Sequence, residues 1–248
     1  PALECTYIPQ QEKLGPAHAV YLAAERIQPR DDVLVVFNDT IFITDLTRID
    51  ELCRECDGLI YSCEVEDYQR FGVNVVRDGY ISDMVEKPDT PISRLAQVGL
   101  YYLKDGCDFM AYLQESIEAE EREKGEFYLP AVFMRMIRAG RKLCAPSIDA
   151  WLDCGKPENL LETNRYLLRE NNKCRGELIN SVIIEPVYIG PDAKICNSVI
   201  GPDVSVARGS TVEQAVISDS IINADSEVKN VVLRHSILGD SVRLVGTP

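Results

Sequence analysis

Apolar residues first gather in one short run, Val33-Leu34-Val35-Val36-Phe37, which follows two aspartates and ends at Asn38-Asp39. A run of this length and β-branched content predicts a strand that is buried on both faces. Because ligands of open α/β sheets lie beyond the carboxyl ends of the strands, Asp39 is suitably placed to hold a metal ion or a ribose. The alternative is that Asp39 only opens a turn by bonding its own backbone.

The remainder of the first 172 residues alternates between helical and strand-like periodicity. The pattern predicts strands over 4–8, 58–65, 72–76, 81–85 and 98–103. It predicts helices over 16–27, 46–53, 107–121 and 128–139, and one more after Pro157. The strands on either side of Asp78-Gly79 are expected to form an antiparallel pair. Strands that alternate with helices indicate an α/β fold with a mixed, mainly parallel sheet.

A different repeat begins after about Asn172. Ile189-Gly190-Pro191-Asp192 and Ile200-Gly201-Pro202-Asp203 are its clearest copies, and later variants begin at Ile222 and Leu238. An aliphatic residue at every sixth position, followed by a small or polar one, is typical of hexapeptide repeats that stack into a parallel β-helix. We therefore predict two domains, residues 1–172 and a left-handed β-helix over residues 173–248.

Composition narrows the classes of partner. The 248 residues carry a formal net charge of −14, which argues against a nucleic-acid backbone or an anionic membrane as the main partner but not against a small phosphorylated substrate. No apolar run approaches the length of a membrane span. The nine scattered cysteines are interpreted as reduced thiols of a cytoplasmic protein. Cys53 and Cys56 have a metal-like spacing, but a single such pair is a weak indication of zinc, which normally needs four ligands.

Several local motifs, in a fixed order, resemble the sugar-1-phosphate nucleotidylyltransferases, especially the long-form glucose-1-phosphate thymidylyltransferase group. The similar segments are Gln10 with Leu14-Gly15-Pro16-Ala17-His18-Ala19, Phe37-Asn38-Asp39, Arg70-Phe71-Gly72-Val73, Glu86-Lys87-Pro88, Val98-Gly99-Leu100-Tyr101, Gly125-Glu126 and Trp151-Leu152-Asp153-Cys154-Gly155-Lys156-Pro157-Glu158. The chain departs from the family at Phe37-Asn38, where glycine is usual, and at Cys154, where threonine is usual. The resemblance implies a Rossmann-like nucleotidyltransferase domain followed by hexapeptide coils.

The resemblance implies transfer of a nucleoside monophosphate from dTTP or UTP to a sugar-1-phosphate, with glucose-1-phosphate favoured and pyrophosphate released. Such chemistry depends on positioning and charge neutralisation rather than on covalent catalysis. Asp39 and Asp153 would hold Mg²⁺, which binds one or two carboxylates together with phosphate oxygens. Lys87 would hold the sugar phosphate as a point charge. A homo-oligomer is also expected.

Substrate contacts follow from the same resemblance. Gln10 would face the pyrimidine edge, since its amide offers both a donor and an acceptor, and Gly15 would let the backbone approach the base. Glu86 would accept sugar hydroxyls. The backbones of Gly72 and Val98 would line the sugar, with Glu126 nearby. Taken singly, Glu86-Lys87 could also be an exposed ion pair and Asp153 a turn former.

One difference between this sequence and the family bears on catalytic activity. The family's glycine-rich loop, whose Arg and Lys grip the triphosphate, has no counterpart among these residues. We therefore expect either a fragment of a longer protein or a shortened relative, and residues 1–248 alone are predicted not to catalyse transfer. A non-catalytic regulatory or assembly subunit is one alternative. An acyltransferase working through the β-helix is another, with His235 as its only histidine in the repeat region.

Overall fold

The computed structural model describes residues 4–247, which form two compact units, one up to Trp151 and one from Leu152. The first unit contains α1 (Pro16–Tyr21), β1 (Val33–Val36), β2 (Thr40–Ile43), α2 (Ile49–Leu52), β3 (Gly58–Glu64), β4 (Gly72–Arg77), β5 (Tyr80–Glu86), β6 (Leu95–Leu103), α3 (Gly106–Glu118), α4 (Leu129–Arg138) and β7 (Leu143–Cys144). Short 3₁₀ turns cover Ala24–Arg26, Leu46–Arg48 and Tyr68–Arg70. Strand β8 (Ala150–Asp153) spans the boundary between the units.

Strand β6 is the centre of the six-stranded sheet. It pairs antiparallel with β3 along one edge, and with β4 and then β1 along the other. Strand β5 pairs antiparallel with β4, as the Asp78-Gly79 turn predicts, and β7 pairs parallel with β3. These pairings give β1, β3, β4 and β7 one direction and β5 and β6 the other. The sheet is therefore mixed, with most strands sharing a direction.

Two strand predictions were wrong. Strand β1 is not buried on both faces, because Leu34 is 44% exposed and Val36 52% exposed. Only Val35 of the central residues turns into the core, where it joins Ala17 and Phe109. Residues 4–8 form no strand; Tyr7 is 92% exposed, so the alternation there has no partner to pack against.

The main core of this unit lies between the sheet and helices α3 and α4. Phe133 of α4 packs edge-on against Tyr101 of β6, with ring centroids 5.1 Å apart, and stacks on Phe109 of α3 at 6.0 Å. Asp105 caps α3 by accepting the N–H of Asp108 at 3.0 Å. The predicted helix over 16–27 is shorter than its pattern: α1 ends at Tyr21 and a 3₁₀ turn follows.

The second unit begins with α5 (Pro157–Leu168) and continues as a parallel β-solenoid of about five turns. Its strands are β9 (Lys173–Cys174), β10 (Glu177–Ile179), β11 (Val182–Ile183), β12 (Val187–Ile189), β13 (Lys194–Cys196), β14 (Val199–Ile200), β15 (Val204–Val206), β16 (Thr211–Glu213), β17 (Val216–Ile222), β18 (Glu227–Lys229), β19 (Val232–Leu238) and β20 (Arg243–Val245).

The solenoid repeats every 16 or 17 residues, so that Ile195, Val212 and Val228 stack in one fully buried column. Left-handed backbone at its corners falls largely on Asn and Asp, such as Asn197 (φ 49°) and Asp203 (φ 60°), which tolerate that conformation. The predicted parallel β-helix is confirmed, while its handedness stays a prediction.

Helix α5 packs on the solenoid. Arg165 donates to both carboxylate oxygens of Asp219, at 2.7 and 3.0 Å, and Ser205 donates to Asn164 at 2.6 Å. This helix therefore groups with the coils, although the domain boundary predicted from sequence lies at residue 172. Across residues 4–247 no helix is both long and apolar enough to cross a membrane.

Candidate active site

The Gln10 loop is held against the start of α1. The Gln10 Nε2 donates to the Gly15 carbonyl at 3.0 Å and lies 3.0 Å from the Nδ1 of His18. Since a carbonyl can only accept, this contact fixes the amide with its nitrogen inward. Among residues 4–247 no donor bonds the Gln10 Oε1, which can therefore accept a hydrogen bond from a ligand. The sequence motif around Gly15 includes His18, but the sequence did not predict that His18 contacts Gln10.

Gly15 joins this loop to the segment around Glu126. Its φ is +95°, and a Cβ there would stand 2.6 Å from the Phe127 carbonyl oxygen and 2.9 Å from the Glu126 Cβ. The Phe127 N–H donates to the Leu14 carbonyl at 2.8 Å, and the Ala17 N–H donates to the Phe127 carbonyl at 3.0 Å. Only glycine fits so close an approach. Two segments more than a hundred residues apart, both predicted to contact substrate, are thus in contact.

Both Glu126 and Glu86 affect the ionisation of Tyr128. Burial raises the pKa of the Tyr128 phenol, and the Glu126, Glu86 and Glu123 carboxylates raise it further. Burial and then the Glu86 charge also raise the pKa of Tyr101. Glu86 therefore lies near both tyrosines, in a region rich in negative charge. Tyr128 was missed in the sequence because no spacing rule relates it to Glu86.

Glu86 and Gly72 face each other across the β4–β5 pair. A Cβ at Gly72 would stand 2.7 Å from the Glu86 Oε2, so the missing side chain leaves room for this carboxylate. Lys87 has a φ of +45° and its Nζ lies 3.5 Å from the Glu86 Oε1, with half of the lysine side chain exposed. Such an exposed pair contributes little stability, which leaves the ammonium available to another anion.

Strand β6 pairs with β4 near Gly72 and carries Val98 and Gln97. The Val98 side chain is buried in a core with Leu59 and Ile148, so that only its backbone could meet a ligand. The neighbouring Gln97 lies beside Gly72 and donates from Nε2 to the Asn74 Oδ1 at 3.0 Å. Neither Gln97 nor Asn74 was singled out in the sequence, because their contact depends on the β4–β6 register.

Asp39 lies in the exposed turn between β1 and β2. It lines a cavity of ≈ 390 Å³ together with Pro16, Ala19 and Val20 of α1 and the end of β1. Strand β1 and the start of α1 therefore meet beside this carboxylate. The turn geometry is compatible with either interpretation of Asp39 given above.

Asp153 belongs to the second unit. Its Oδ1 accepts the Gly155 N–H at 2.8 Å, its Oδ2 accepts from Asn159, and its carbonyl accepts from Thr163 at 3.2 Å. These bonds orient the carboxylate within the turn before α5. Asp39 and Asp153 lie in different units, and the metal pair stays a prediction. Oxygen donors of this kind are the type that Mg²⁺ prefers.

The cysteines and His235 are the other residues that the sequence offered for metal binding or catalysis. The nine cysteines are free thiols, and the buried Cys53 and Cys56 sulfurs lie 3.7 Å apart. Burial raises the pKa of Cys53 to about 12. Within residues 4–247, no group of three or more His, Cys, Asp and Glu side chains is arranged to hold a metal. His235 lies 2.8 Å from the Asp219 carboxylate that Arg165 also binds.

Comparison with protein-family models divides the chain in two. Residues 2–170 match the nucleotidyl transferase family, and residues 165–246 match the GlmU-like C-terminal hexapeptide family. The first match covers more than half of the chain. The two matches follow the order expected from the sequence motifs.

Similar proteins agree with these matches. A glucose-1-phosphate thymidylyltransferase from Streptomyces griseus is 28% identical over 99% of this chain and 74% of its own length. A low-salt glycan biosynthesis nucleotidyltransferase from Haloferax volcanii is 30% identical over 91% of the chain and 69% of its own length. A crystal structure from Bacillus anthracis, described as a glucose-1-phosphate thymidylyltransferase in complex with sucrose, superposes with a TM-score of 0.53 at 25% identity. It covers 63% of this chain, which spans 62% of that structure. The chain belongs to the sugar-1-phosphate nucleotidyltransferase family.

Proposed function

We propose that this chain binds a pyrimidine nucleotide and a sugar-1-phosphate, dTTP or UTP and glucose-1-phosphate being favoured, for nucleotidyl transfer with release of pyrophosphate. The observation that carries the proposal is the packing of the Gln10 loop against the segment at Glu126 in the first unit. Gln10 holds Gly15, Gly15 meets Glu126, and the carboxylates of Glu126 and Glu86 both act on Tyr128. This arrangement supports a single surface for the base and sugar contacts predicted from distant segments.

Base selection rests on the orientation of Gln10. With its nitrogen bonded to the Gly15 carbonyl, the side chain presents Oε1 as an acceptor. Uracil and thymine carry an N3–H donor that matches it, whereas the N3 of cytosine is itself an acceptor. Gly15 lets the base approach the backbone. This complementarity supports UTP and dTTP over CTP.

Sugar binding rests on Gly72, Glu86 and Lys87. Glu86 accepts sugar hydroxyls, and the half-exposed Lys87 ammonium neutralises the sugar phosphate. The Gly72 and Val98 backbones line the ring, with Glu126 alongside. Because these groups only position and neutralise, they suit a reaction in which a phosphate oxygen attacks an α-phosphate.

Metal binding is assigned to Asp39 and Asp153. Bound Mg²⁺ would offset the negative charge on the phosphate oxygens. Asp39 offers an exposed carboxylate at a strand end, and Asp153 one oriented by Gly155 and Asn159. We expect Asp39→Asn and Asp153→Asn to abolish transfer in any form of the protein that is active.

Calorimetric titration with nucleotide sugars tests the proposal, since a nucleotide sugar contacts base and sugar sites without needing a triphosphate grip. UDP-glucose or dTDP-glucose is expected to bind at least tenfold more tightly than CDP-glucose, because the cytosine N3 cannot donate to the Gln10 Oε1. The same preference is expected over ADP-glucose and GDP-glucose, whose two-ring bases are larger than the pyrimidine that the Gln10 loop is proposed to hold. Glu86→Gln is expected to weaken binding about tenfold, and Glu66→Gln, on a side chain 88% exposed, is the matched control. Preferred binding of a purine nucleotide sugar would contradict the base assignment.

Pyrophosphate release tests the expectation that residues 1–248 alone do not catalyse transfer. Specific nucleotide-sugar binding without Mg²⁺-dependent release would agree with that expectation, whether the chain is a fragment or a regulatory or assembly subunit, and Mg²⁺-dependent release would contradict it. The homo-oligomer also remains a prediction, which sedimentation velocity at two protein concentrations tests.

A further inference from the structure

A cavity of ≈ 400 Å³ lies at the end of the six-stranded sheet opposite to Asp39. Its lining includes Leu103, the last residue of β6, which pairs with Val33, the first residue of β1. Asp39 follows the other end of β1, so the length of this strand, about 10 Å, separates Asp39 from the cavity. The cavity is within the size range of pockets that hold small ligands, and it is separate from the site proposed above.

Six charged side chains line this cavity, three of each sign. They are Arg30, Lys104, Arg141, Asp57, Asp105 and Asp108. Arg141 and Asp108 neutralise each other, since the Arg141 Nη2 donates to the Asp108 Oδ1 at 2.8 Å. Within residues 4–247 the other four form no ion pair. Two cationic and two anionic side chains therefore remain for a ligand.

The main chain holds the two remaining carboxylates in place. The Lys142 N–H donates to the Asp57 Oδ2 at 2.7 Å, and the Asp57 N–H donates to the Lys142 carbonyl, also at 2.7 Å. The Asp108 N–H donates to the Asp105 Oδ1 at 3.0 Å. No donor among the described residues bonds the second oxygen of either carboxylate. The chain itself thus orients both carboxylates, and one oxygen of each is left to accept a hydrogen bond.

Arg30 is held in the cavity wall by an unusual backbone conformation. Its φ is +77°, in the left-handed region that glycine and asparagine enter more readily. The Asp31 N–H donates to the Gln28 carbonyl at 3.0 Å, and the Gly106 N–H, at the start of α3, donates to the Asp31 carbonyl at 2.8 Å. In the described part of the chain the Arg30 guanidinium has no hydrogen-bond or ion-pair partner. Backbone strain that no polar contact offsets is typical of residues that bind a ligand.

The charges that remain select the class of ligand. The Lys104 Nζ donates one hydrogen to the Cys53 carbonyl at 3.1 Å and has two left. Arg30 and Lys104 therefore offer donors, and Asp57 and Asp105 offer acceptors. An anion alone would face two carboxylates, and a cation alone would face two cationic side chains. Only a ligand that carries both charges complements both pairs.

We propose that this cavity binds a small zwitterion, with its anionic group at Arg30 and Lys104 and its ammonium group at Asp57 and Asp105. The anionic group is a carboxylate, as in amino acids, or a phosphate, as in aminoalkyl phosphates. What the two share is an ammonium group joined to an anion by a short chain. This site does not depend on the proposed nucleotide and sugar binding.

NMR titration of the full chain with zwitterions and with single charges tests the proposal. The zwitterions are glycine, β-alanine, γ-aminobutyrate, δ-aminovalerate and aminoethyl phosphate, and the single charges are acetate, inorganic phosphate and methylammonium. One zwitterion is expected to bind at least tenfold more tightly than every single charge, because it alone makes both sets of contacts. Saturable shifts are expected at the amides of Asp57, Lys104 and Asp105. The carboxylate and phosphate probes show which anionic group is preferred.

Two variants separate binding from folding. Arg30→Gly removes the charge at a position where glycine is not strained, so the melting temperature should not fall, while affinity for the preferred zwitterion should fall about tenfold or more. Asp105→Asn keeps a side chain that can cap α3 but removes a negative charge, and a similar loss is expected. Lys124→Gly is the matched control, because Lys124 is exposed, has a φ of +52° and lies outside the cavity lining. It should leave the affinity unchanged.

The possible results decide the proposal. Acetate or phosphate binding as tightly as every zwitterion would make the cavity an anion site and overturn it. Equal losses in Arg30→Gly and Lys124→Gly would show that net charge alone sets the affinity, which also overturns it. The absence of saturable shifts at Asp57, Lys104 and Asp105 with all the probes would show that the cavity takes no such ligand. If Arg30→Gly does not fold, Asp105→Asn carries the same test.

Discussion

The two units of this protein differ in how their contacting residues are spaced along the sequence. In the solenoid, residues that touch are 16 or 17 positions apart, and the same contact recurs from coil to coil, as in the Ile195, Val212 and Val228 column. In the first unit, Gly15 packs against Glu126 and Gly72 packs against Glu86, and no repeat relates these positions in the sequence. The first arrangement builds a regular scaffold, and the second consists of single contacts between chemically different residues.

The difference also predicts how stability is distributed. A coil of a solenoid contacts only its neighbours, so damage to one coil is expected to remain local. The core between the six-stranded sheet and helices α3 and α4 is shared by elements from the whole first unit. Damage there should reach every element of that unit.

The largest expected effect is that of Phe133→Ala. Phe133 has no exposed surface and contacts rings from α3 and β6, so its removal should destabilise the first unit by about 3–5 kcal/mol. Hydrogen exchange should show lost protection in β3, β4 and β6 alike. Tyr7→Ala, on a side chain 92% exposed, is the control and should change little. Loss confined to α4 would contradict a single shared core.

A cavity in the solenoid should have a more local effect. Ile195→Ala is expected to cost about 2–5 kcal/mol in the affected coils, because Ile195 is fully buried. Amide protection should fall in β10, β13 and β16 and remain in β18 and β20. Val232→Ala, at a site 79% exposed, serves as the control. Uniform loss of protection across all coils would show that the solenoid unfolds as one unit.

Gly72→Ala is expected to change the affinity for glucose-1-phosphate much more than the stability of the fold. The new Cβ would lie 2.7 Å from the Glu86 Oε2, the end of a flexible side chain that can move aside. Melting temperature is expected to change by about 2 °C or less, while glucose-1-phosphate affinity falls about tenfold or more because the carboxylate is misplaced. Gly239→Ala, where the nearest atom to a Cβ would be the Val242 Cγ2 at 4.0 Å, is the control. Unchanged affinity would remove Gly72 from the sugar site.

The smallest expected effect is the pH dependence of the stability that comes from the hydrogen bonds between Arg165 of α5 and Asp219. The hydrogen bond from Arg165, helped by His235, holds the pKa of Asp219 below its ordinary value. A lowered folded-state pKa gives stability that is present above about pH 4 and is lost as pH falls through the folded pKa. Asp219→Asn should therefore cost about 1 kcal/mol or less at pH 7, and less still below pH 3. Equal costs at both pH values, in urea titrations, would show that Asp219 acts through shape and not charge.

Sequence patterns predicted the two units unequally. The repeated Ile-Gly-Pro-Asp segment and its later variants predicted the solenoid, because the contacts between its coils recur at a nearly constant spacing in the sequence. In the first unit the pattern gave β3 to β6, but it overstated the burial of β1, since an apolar run does not reveal whether both faces are covered. Motif order indicated the family, and the site segments that it indicated stay a prediction. The Gln97–Asn74 contact and the effect of Glu86 on Tyr128 were not predictable, because they depend on strand register and on how a distant segment packs.

The central claim is that the first unit carries one continuous site for nucleotide and sugar. Backbone NMR spectra of the chain titrated with dTDP-glucose or UDP-glucose test it most directly. We predict saturable shifts at the amides of Gly15, Gly72 and Glu126 together, with one dissociation constant, while the solenoid amides of the Ile195 column stay unchanged. Shifts limited to the solenoid, or no saturable shifts at these three glycine and glutamate amides, would contradict the claim.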